Sequence, residues 1–529
     1  MAFSSPIRQV RSAFLALTLA CAPGAMAIAQ ETGQEEPPAA LRQGSYEALA
    51  AEASQTPPVP SDGDLTVVDT PEQLRDGVFD RVAPPAPPED GLDAAQVDSR
   101  NEAERSAFEY EPNPGAPPDG DALLFQIEEI APLDPASNRR PSRFATLEPY
   151  DPVGIRIGTF VLFPEAELSL TRYSNVFASP DGEADIAGQL KPSLRLVSNW
   201  SNHALEFRAE GDFQNYRKFG SENDRGYLVE SRGRLDITRR TNLQAQIGRQ
   251  SAQESRSAVD ATQLGPRATV KTDQFAGSLN QRFNRLSLQL RGGVTDTNYS
   301  DSTSDTTGIL NGSTSLDDRD ETEHKAAIRA TWEFKPTFQV FAEYEGNDRN
   351  FEAASSADNR RRDSTGLRLR GGINFGDTSE RLRGEVALGY ASQDLEDARL
   401  EDADGVTIDA NLAYRFNGLT SFLLTASTDI ASVTQTANSG AVLEHRAGIE
   451  ARHAFRNYLI GSVGIEGTRR DYAGIDVDET EFVTSLGLEY FFNREAVAFT
   501  KYEHTVFRSD FAGSNYESDE IRVGLRLRR

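Results

Sequence analysis

The chain of 529 residues is short of several things at once. Its one cysteine, Cys21, lies near the start, so the rest can form no disulfide and no thiolate metal site. Five histidines and two methionines leave few soft ligands, which argues against an ordinary metalloenzyme. No uninterrupted apolar run reaches the ~18 residues of a membrane helix, which excludes helical spans. Basic residues are outnumbered 55 to 82, a net charge of −27. A nucleic-acid partner is therefore not expected, because phosphate binding needs a basic surface. Gly-x-Ser-x-Gly, His-Glu-x-x-His and Gly-x-x-x-x-Gly-Lys patterns are all missing. The expectation is a protein that is not an enzyme, with no catalytic residue, no cofactor and no metal.

What is present falls into three unlike stretches. Residues 1–29 have the grammar of an export signal. Arg8 and Arg11 precede the short apolar run Ala13–Ala20, and small residues at Ala25, Ala27 and Ala29 offer cleavage sites. Residues 30–150 read as a disordered acidic, proline-rich periplasmic arm. From residue 31 to 150 there are 25 acidic against 8 basic side chains and 18 of the 26 prolines. Like charge and low apolar content cannot offset the entropy of ordering. Short helical islands are expected at Tyr46–Ala53 and Asp121–Ile130.

Residues 151–529 are different material, with 6 prolines and a dominant period of two. Leu205, Phe207, Ala209, Gly211 and Phe213 alternate with Glu206, Arg208, Glu210 and Asp212. Ile521, Val523, Leu525 and Leu527 alternate with Arg522, Gly524, Arg526 and Arg528. Strict alternation puts one set on each face of a strand. About eighteen such strands can be placed, centred from near residue 166 to near residue 523. Tight turns such as Phe283–Leu286, Phe416–Leu419 and Phe492–Glu495 alternate with long polar loops, among them Thr295–Glu321, Asn347–Asp363, Gln393–Gly405 and Arg469–Glu481. Eight turns and nine loops joining eighteen strands predict an all-β protein: a transmembrane up-and-down antiparallel β-barrel of the outer-membrane type. Aromatics beside the turns, including Trp200, Phe283, Trp332, Phe334, Phe416, Phe455, Phe491 and Phe492, predict an interfacial girdle.

If the apolar set faces lipid, the alternate set lines the lumen. The candidate lining residues are Arg208, Arg232, Arg234, Arg291, Arg368, Arg370, Arg522 and Arg526, where clustered guanidinium groups would favour anionic or hydrogen-bonding solutes. Arg368, Arg370, Arg522 and Arg526 are read as the most exposed in charge, because their own strands carry no adjacent inward acid.

Short motifs add a likeness. Tyr173-Ser-Asn-Val-Phe177 follows the first strand, and Asp212-Phe-Gln-Asn-Tyr-Arg217, Glu222-Asn-Asp224 and Arg234-Leu-Asp-Ile-Thr-Arg-Arg-Thr241 come after it. This combination, over roughly residues 155–529, resembles the family described as putative β-barrel porin 2, outer-membrane barrels often met beside surface-polysaccharide genes. The resemblance implies a channel for passage or secretion of a hydrophilic solute, with surface polysaccharide as candidate cargo. The expected surroundings are outer-membrane lipid and lipopolysaccharide, with periplasmic polysaccharide-export components reached through the N-terminal arm. The alternative is a structural or adhesive outer-membrane protein that works through its long extracellular loops.

Overall fold

The computed structural model describes residue 150 and residues 152–529, apart from 201, 260, 262–266, 301–315, 336, 376–380 and 512. The signal segment, the helical islands and, Tyr150 aside, the acidic arm lie outside the described residues. A short strand, β1 (Ile155–Ile157), leads into eighteen long ones. The first six are β2 (Phe160–Tyr173), β3 (Asp185–Ser198), β4 (Ala204–Tyr216), β5 (Asp224–Thr238), β6 (Thr241–Gln253) and β7 (Thr269–Phe283). The next six are β8 (Leu286–Tyr299), β9 (Glu321–Lys335), β10 (Phe338–Phe351), β11 (Ser364–Phe375), β12 (Leu382–Leu395) and β13 (Ala403–Arg415). The last six are β14 (Thr420–Ser432), β15 (Ala441–Arg456), β16 (Leu459–Tyr472), β17 (Asp478–Phe491), β18 (Ala496–Ser509) and β19 (Tyr516–Arg528).

Each long strand pairs antiparallel with the next, and β19 returns to β2 in a ladder from Glu520↔Tyr173 to Arg528↔Glu165. The sheet is thus a closed barrel of eighteen strands. Closure follows from the environment the surface demands, because a strand edge left open in lipid would hold unpaired N–H and C=O groups. Along β5 the outward Val229 and Leu235 are 54% and 50% exposed, while the inward Glu230 and Arg234 between them are 2% and 7% exposed. The charged side chains point in and the apolar ones out, the reverse of a soluble protein.

The turns are locally encoded. Asn417 Oδ1 accepts the backbone N–H groups of Leu419 and Thr420, both at 2.8 Å. Asn493 Oδ1 does the same for Glu495 and Ala496. Such Asx turns need only a short side chain that can mimic a backbone carbonyl. Asn284, in the two-residue turn between β7 and β8, takes φ +48°, the left-handed region that a hairpin of this length requires.

Two expectations change. Strands run to between 12 and 16 residues, more than the ~9–11 needed to cross the hydrocarbon, so the loops are shorter than the sequence suggests. The loop expected over Arg469–Glu481 is only 473–477, and that over Gln393–Gly405 is 396–402. Antiparallel pairing has no reason to stop at the membrane surface. Above the apolar band the outward positions become charged and pair with each other. Ile247 and Phe275, 60% and 55% exposed, give way one outward step further on to Arg249 and Asp273, 2.6 Å apart through Arg249 Nη2. The second change is Phe491, which turns inward, is 8% exposed and stacks on Tyr150 at 5.4 Å. The rest of the turn-side aromatics largely stay outward, Phe416 and Phe492 at 60% and 61% exposure.

Leu486→Arg on the outer face, midway along the apolar band between the outward Phe482 and Tyr490, is expected to cost about 2–4 kcal/mol in a bilayer, where a guanidinium meets hydrocarbon. Unfolding in urea from lipid vesicles measures it. On a water-facing surface the same change would be nearly neutral.

Candidate solute pathway

The inner face divides into sectors, each traceable to the alternate residues of its strands. On β6 and β7 these are amides and hydroxyls: Gln244, Gln246 and Gln250 opposite Thr272, Gln274 and Ser278, all buried. The register places Gln246 beside Ala276, so the amides form rows along the wall with a small residue between them. A surface of this kind both donates and accepts hydrogen bonds and carries no net charge.

From β8 to β13 the lining is ionic. Glu343 on β10, 2% exposed, faces Arg291 on β8 at 2.9 Å, Arg370 on β11 at 2.6 Å and Arg329 on β9 at 3.7 Å. Arg370 also reaches Asp409 at 3.3 Å, and Arg329 pairs with Glu385. The Arg329 guanidinium lies 3.5 Å from the centroid of the Phe341 ring. Gly372 makes room for that ring, since a Cβ there would sit 2.5 Å from it. A buried carboxylate facing three cations is held in place by them, and removing one sign would strand the other in a poorly hydrated wall.

The eight sequence-selected arginines do not gather at one constriction. Arg291, Arg368 and Arg370 belong to this ionic sector. Arg208, Arg232 and Arg234 lie on β4 and β5, bonded to Glu210 (2.6 Å), Glu230 and Asp236 (2.7 Å) respectively. Arg522 and Arg526 lie on β19; Arg522 donates to the Thr171 hydroxyl at 3.2 Å, and Arg526 meets Glu489 at 3.1 Å and Glu167 at 3.2 Å. The expectation that Arg368, Arg370, Arg522 and Arg526 lack inward partners is therefore corrected. Arg368 holds Asp429 at 2.8 Å, Arg370 holds two acids, and Arg526 holds three, Glu165 at 3.5 Å besides Glu167 and Glu489. The partners sit on other strands, Glu343 directly across the ladder from Arg370. A reading confined to one strand cannot see these, although Arg522 also has an inward acid two residues away on its own strand, Glu520.

The long-loop mouth holds a feature that the alternating pattern did not announce. The segment between β6 and β7 reaches the opposite wall, nine strands away in a ring of eighteen. Val259 packs against Val433, Val442 and Tyr472, and Arg470 donates to the Ser257 carbonyl at 3.2 Å. On its own side the segment is tied down by Arg256 to Glu222 at 2.7 Å. Asp358, in the β10–β11 loop, accepts from Arg362 at 3.0 Å and from the Asn438 backbone at 3.0 Å. Burial works against its charge, yet these bonds hold its carboxyl below the usual range. A cavity of about 360 Å³ remains at this mouth, lined in part by Arg256, Ser257, Gln435, Glu479 and Tyr516. The only sequence signal for the bridge is a break in alternation at Ala441-Val442-Leu443.

A closed ring of strands, apolar outside and polar inside, is the wall of an outer-membrane channel. The chain belongs to the family described as putative beta-barrel porin 2, whose model matches residues 148–529. No curated protein matches it. Among solved structures it is similar to OpdK of Pseudomonas aeruginosa, crystallised with vanillate, at 15% identity and TM-score 0.38, covering 70% of this chain and 99% of that one. It is also similar to a BenF-like porin of Pseudomonas fluorescens Pf-5, at 10% identity and TM-score 0.38, with the same coverage. A third is the alcaligin outer-membrane receptor FauA of Bordetella pertussis, at 12% identity and TM-score 0.33, covering 71% and 76%.

Glu343→Gln leaves Arg291 and Arg370 without their shared carboxylate, and a loss of about 3–5 kcal/mol is expected. Urea unfolding measures it. The reversal potential of the surviving channels should shift toward anions. A loss below about 1 kcal/mol would mean that water rather than Glu343 compensates these arginines.

Proposed function

We propose that this channel passes a hydrophilic, hydroxyl-rich solute, with a surface polysaccharide as the candidate cargo. The observation that carries the reading is the composition of the inner wall. One sector offers uncharged amides and hydroxyls, and the other offers arginine–carboxylate pairs whose charges cancel locally. Paired charges leave fixed donors and acceptors without a strong net field. Such a lining replaces water for a sugar at many points and holds it tightly at none, the condition for conduction. It suits a polymer of hydroxyls better than a small anion, which would need a bare cationic site.

The acidic arm belongs to the same reading. A proline-rich segment with a net charge of −17 over residues 31–150 can search for periplasmic export components at low affinity and over a long reach. Outer-membrane lipid and lipopolysaccharide surround the barrel.

Planar-bilayer recording of the refolded chain, with and without residues 30–150, tests the channel. Steps of conductance are expected from both forms, and neutral oligosaccharides added to the long-loop side should block them in a concentration-dependent way. Block by small anions at lower concentration than by oligosaccharides would reverse the assignment of cargo.

A further inference from the structure

The barrel wall is not equally stitched all the way round. The ladder between β15 and β16 runs from Val442↔Tyr472 to Arg456↔Leu459. That between β13 and β14 covers only Ala410↔Ala426 to Arg415↔Ser421, although both strands continue well beyond it. Over 403–409 β13 stays paired with β12, and over 427–432 β14 stays paired with β15, but the two are not paired with each other. A continued register would set Ile408 opposite Thr428. Instead the Thr428 hydroxyl fills the ladder position, accepting the Ile408 N–H at 3.2 Å and facing its carbonyl at 3.5 Å. The same hydroxyl also meets His445 Nδ1 at 3.0 Å.

The freed half of β14 has been taken over from inside the barrel. The carbonyls of Thr428 and Ile430, on one edge of the strand, accept from Arg368 at 3.0 Å and Arg349 at 2.9 Å. Beyond the strand end, Arg362 takes the Val433 carbonyl at 3.0 Å. Three arginines from β10, β11 and the loop between them thus hold β14 away from β13. What closes the wall there is side-chain packing: Leu443 of β15 reaches across to Gly405 of β13, where a Cβ would lie 2.7 Å from it.

Two further observations say what this seam meets on either side. Outward, Val406 and Ile408 are 61% and 44% exposed, continuous with Tyr414, and polar residues begin only at Asp404. The seam therefore lies within the apolar band, on its long-loop half, which in such barrels is the outer leaflet. Inward, apolar side chains such as Leu228, Phe341 and Val497 are scattered among polar and charged ones elsewhere, whereas here they gather into clusters. The two buried apolar clusters of the described residues both adjoin the seam, one through Leu395, Ala403, Ile430 and Ala441, the other through Val433 and Val442.

The geometry points to a lateral opening between β13 and β14 that connects the mouth of the lumen with the outer leaflet, and to an acyl-chain amphiphile as the molecule that uses it. The chain of such a molecule would lie along the apolar patch behind the seam, with its polar end toward the hydrated lumen. Parting the walls costs little here, because no main-chain ladder has to break; Leu443 swings from Gly405 and the Thr428 hydroxyl releases Ile408. This opening is independent of axial solute passage.

The test uses the full chain in phosphatidylcholine vesicles and a lysophospholipid carrying a diazirine on its acyl chain. After illumination, cross-links are expected at Leu395 and Ile430, buried behind the seam, as well as at the lipid-facing Leu388. The pair Gly405→Cys with Leu443→Cys, oxidised to a disulfide across the seam, should lower the cross-links behind the seam at least ten-fold while leaving those at Leu388 and the axial conductance unchanged. Reduction should restore them. If the cysteine pair does not insert, Gly405→Trp, which wedges against Leu443, serves as the block with the same expected loss. Cross-links confined to Leu388 and its outward neighbours in the unmodified chain would overturn the opening, as would cross-links behind the seam that persist in the blocked form. Conductance retained in either case would leave the axial channel standing.

Discussion

The backbone hydrogen bond is the constraint on which the rest of this protein depends. In hydrocarbon each unmade N–H···O=C bond costs several kcal/mol, so a sheet there has no tolerable edge. The meeting of β19 with β2 answers that demand, and the up-and-down order makes it reachable, since every other pairing is between neighbours in the chain. The same demand gives weight to the interface between β13 and β14, where the ladder between long strands is shortest. Thr428, Arg349 and Arg368 supply side-chain partners where the main chain of β13 would have done so.

Inverting a protein, apolar side out, sends its charges inward, where they must neutralise one another. Glu343 with Arg291 and Arg370, and Arg526 with Glu167 and Glu489, show how the barrel does this. Partners come from adjoining strands because register puts inward residues of neighbouring strands side by side. The outcome is a lining rich in directed hydrogen-bonding groups with little uncompensated charge. That property connects the folding problem of the wall to the solute it can conduct.

The architecture was legible from residues alone, and the interior was not. Alternation over 204–213 and 521–528 is a local signal, and so are the Asn417 and Asn493 turns, so strand and turn positions could be read directly. Arg370 looked solitary because Glu343 lies 27 residues away and meets it only through the ladder between β10 and β11. Phe491 was indistinguishable from Phe492 by composition, and one step of strand parity sends the first inward to Tyr150. The bridge from Val259 to Val433 joins opposite walls, which no spacing along the chain encodes. Strand ends were misjudged for another reason: pairing continues into water, where outward residues such as Arg249 and Asp273 no longer look like a barrel face.

That pair has a mechanical consequence. The outer surface passes from Ile247 to Arg249, and from Phe275 to Asp273, in two residues, about 7 Å of strand. A helix confronted with a bilayer of the wrong thickness can tilt, but a closed cylinder with a waterline inked this sharply has no such freedom. The lipids around it must stretch or compress to its height, and the barrel will settle where the surrounding leaflets already match it.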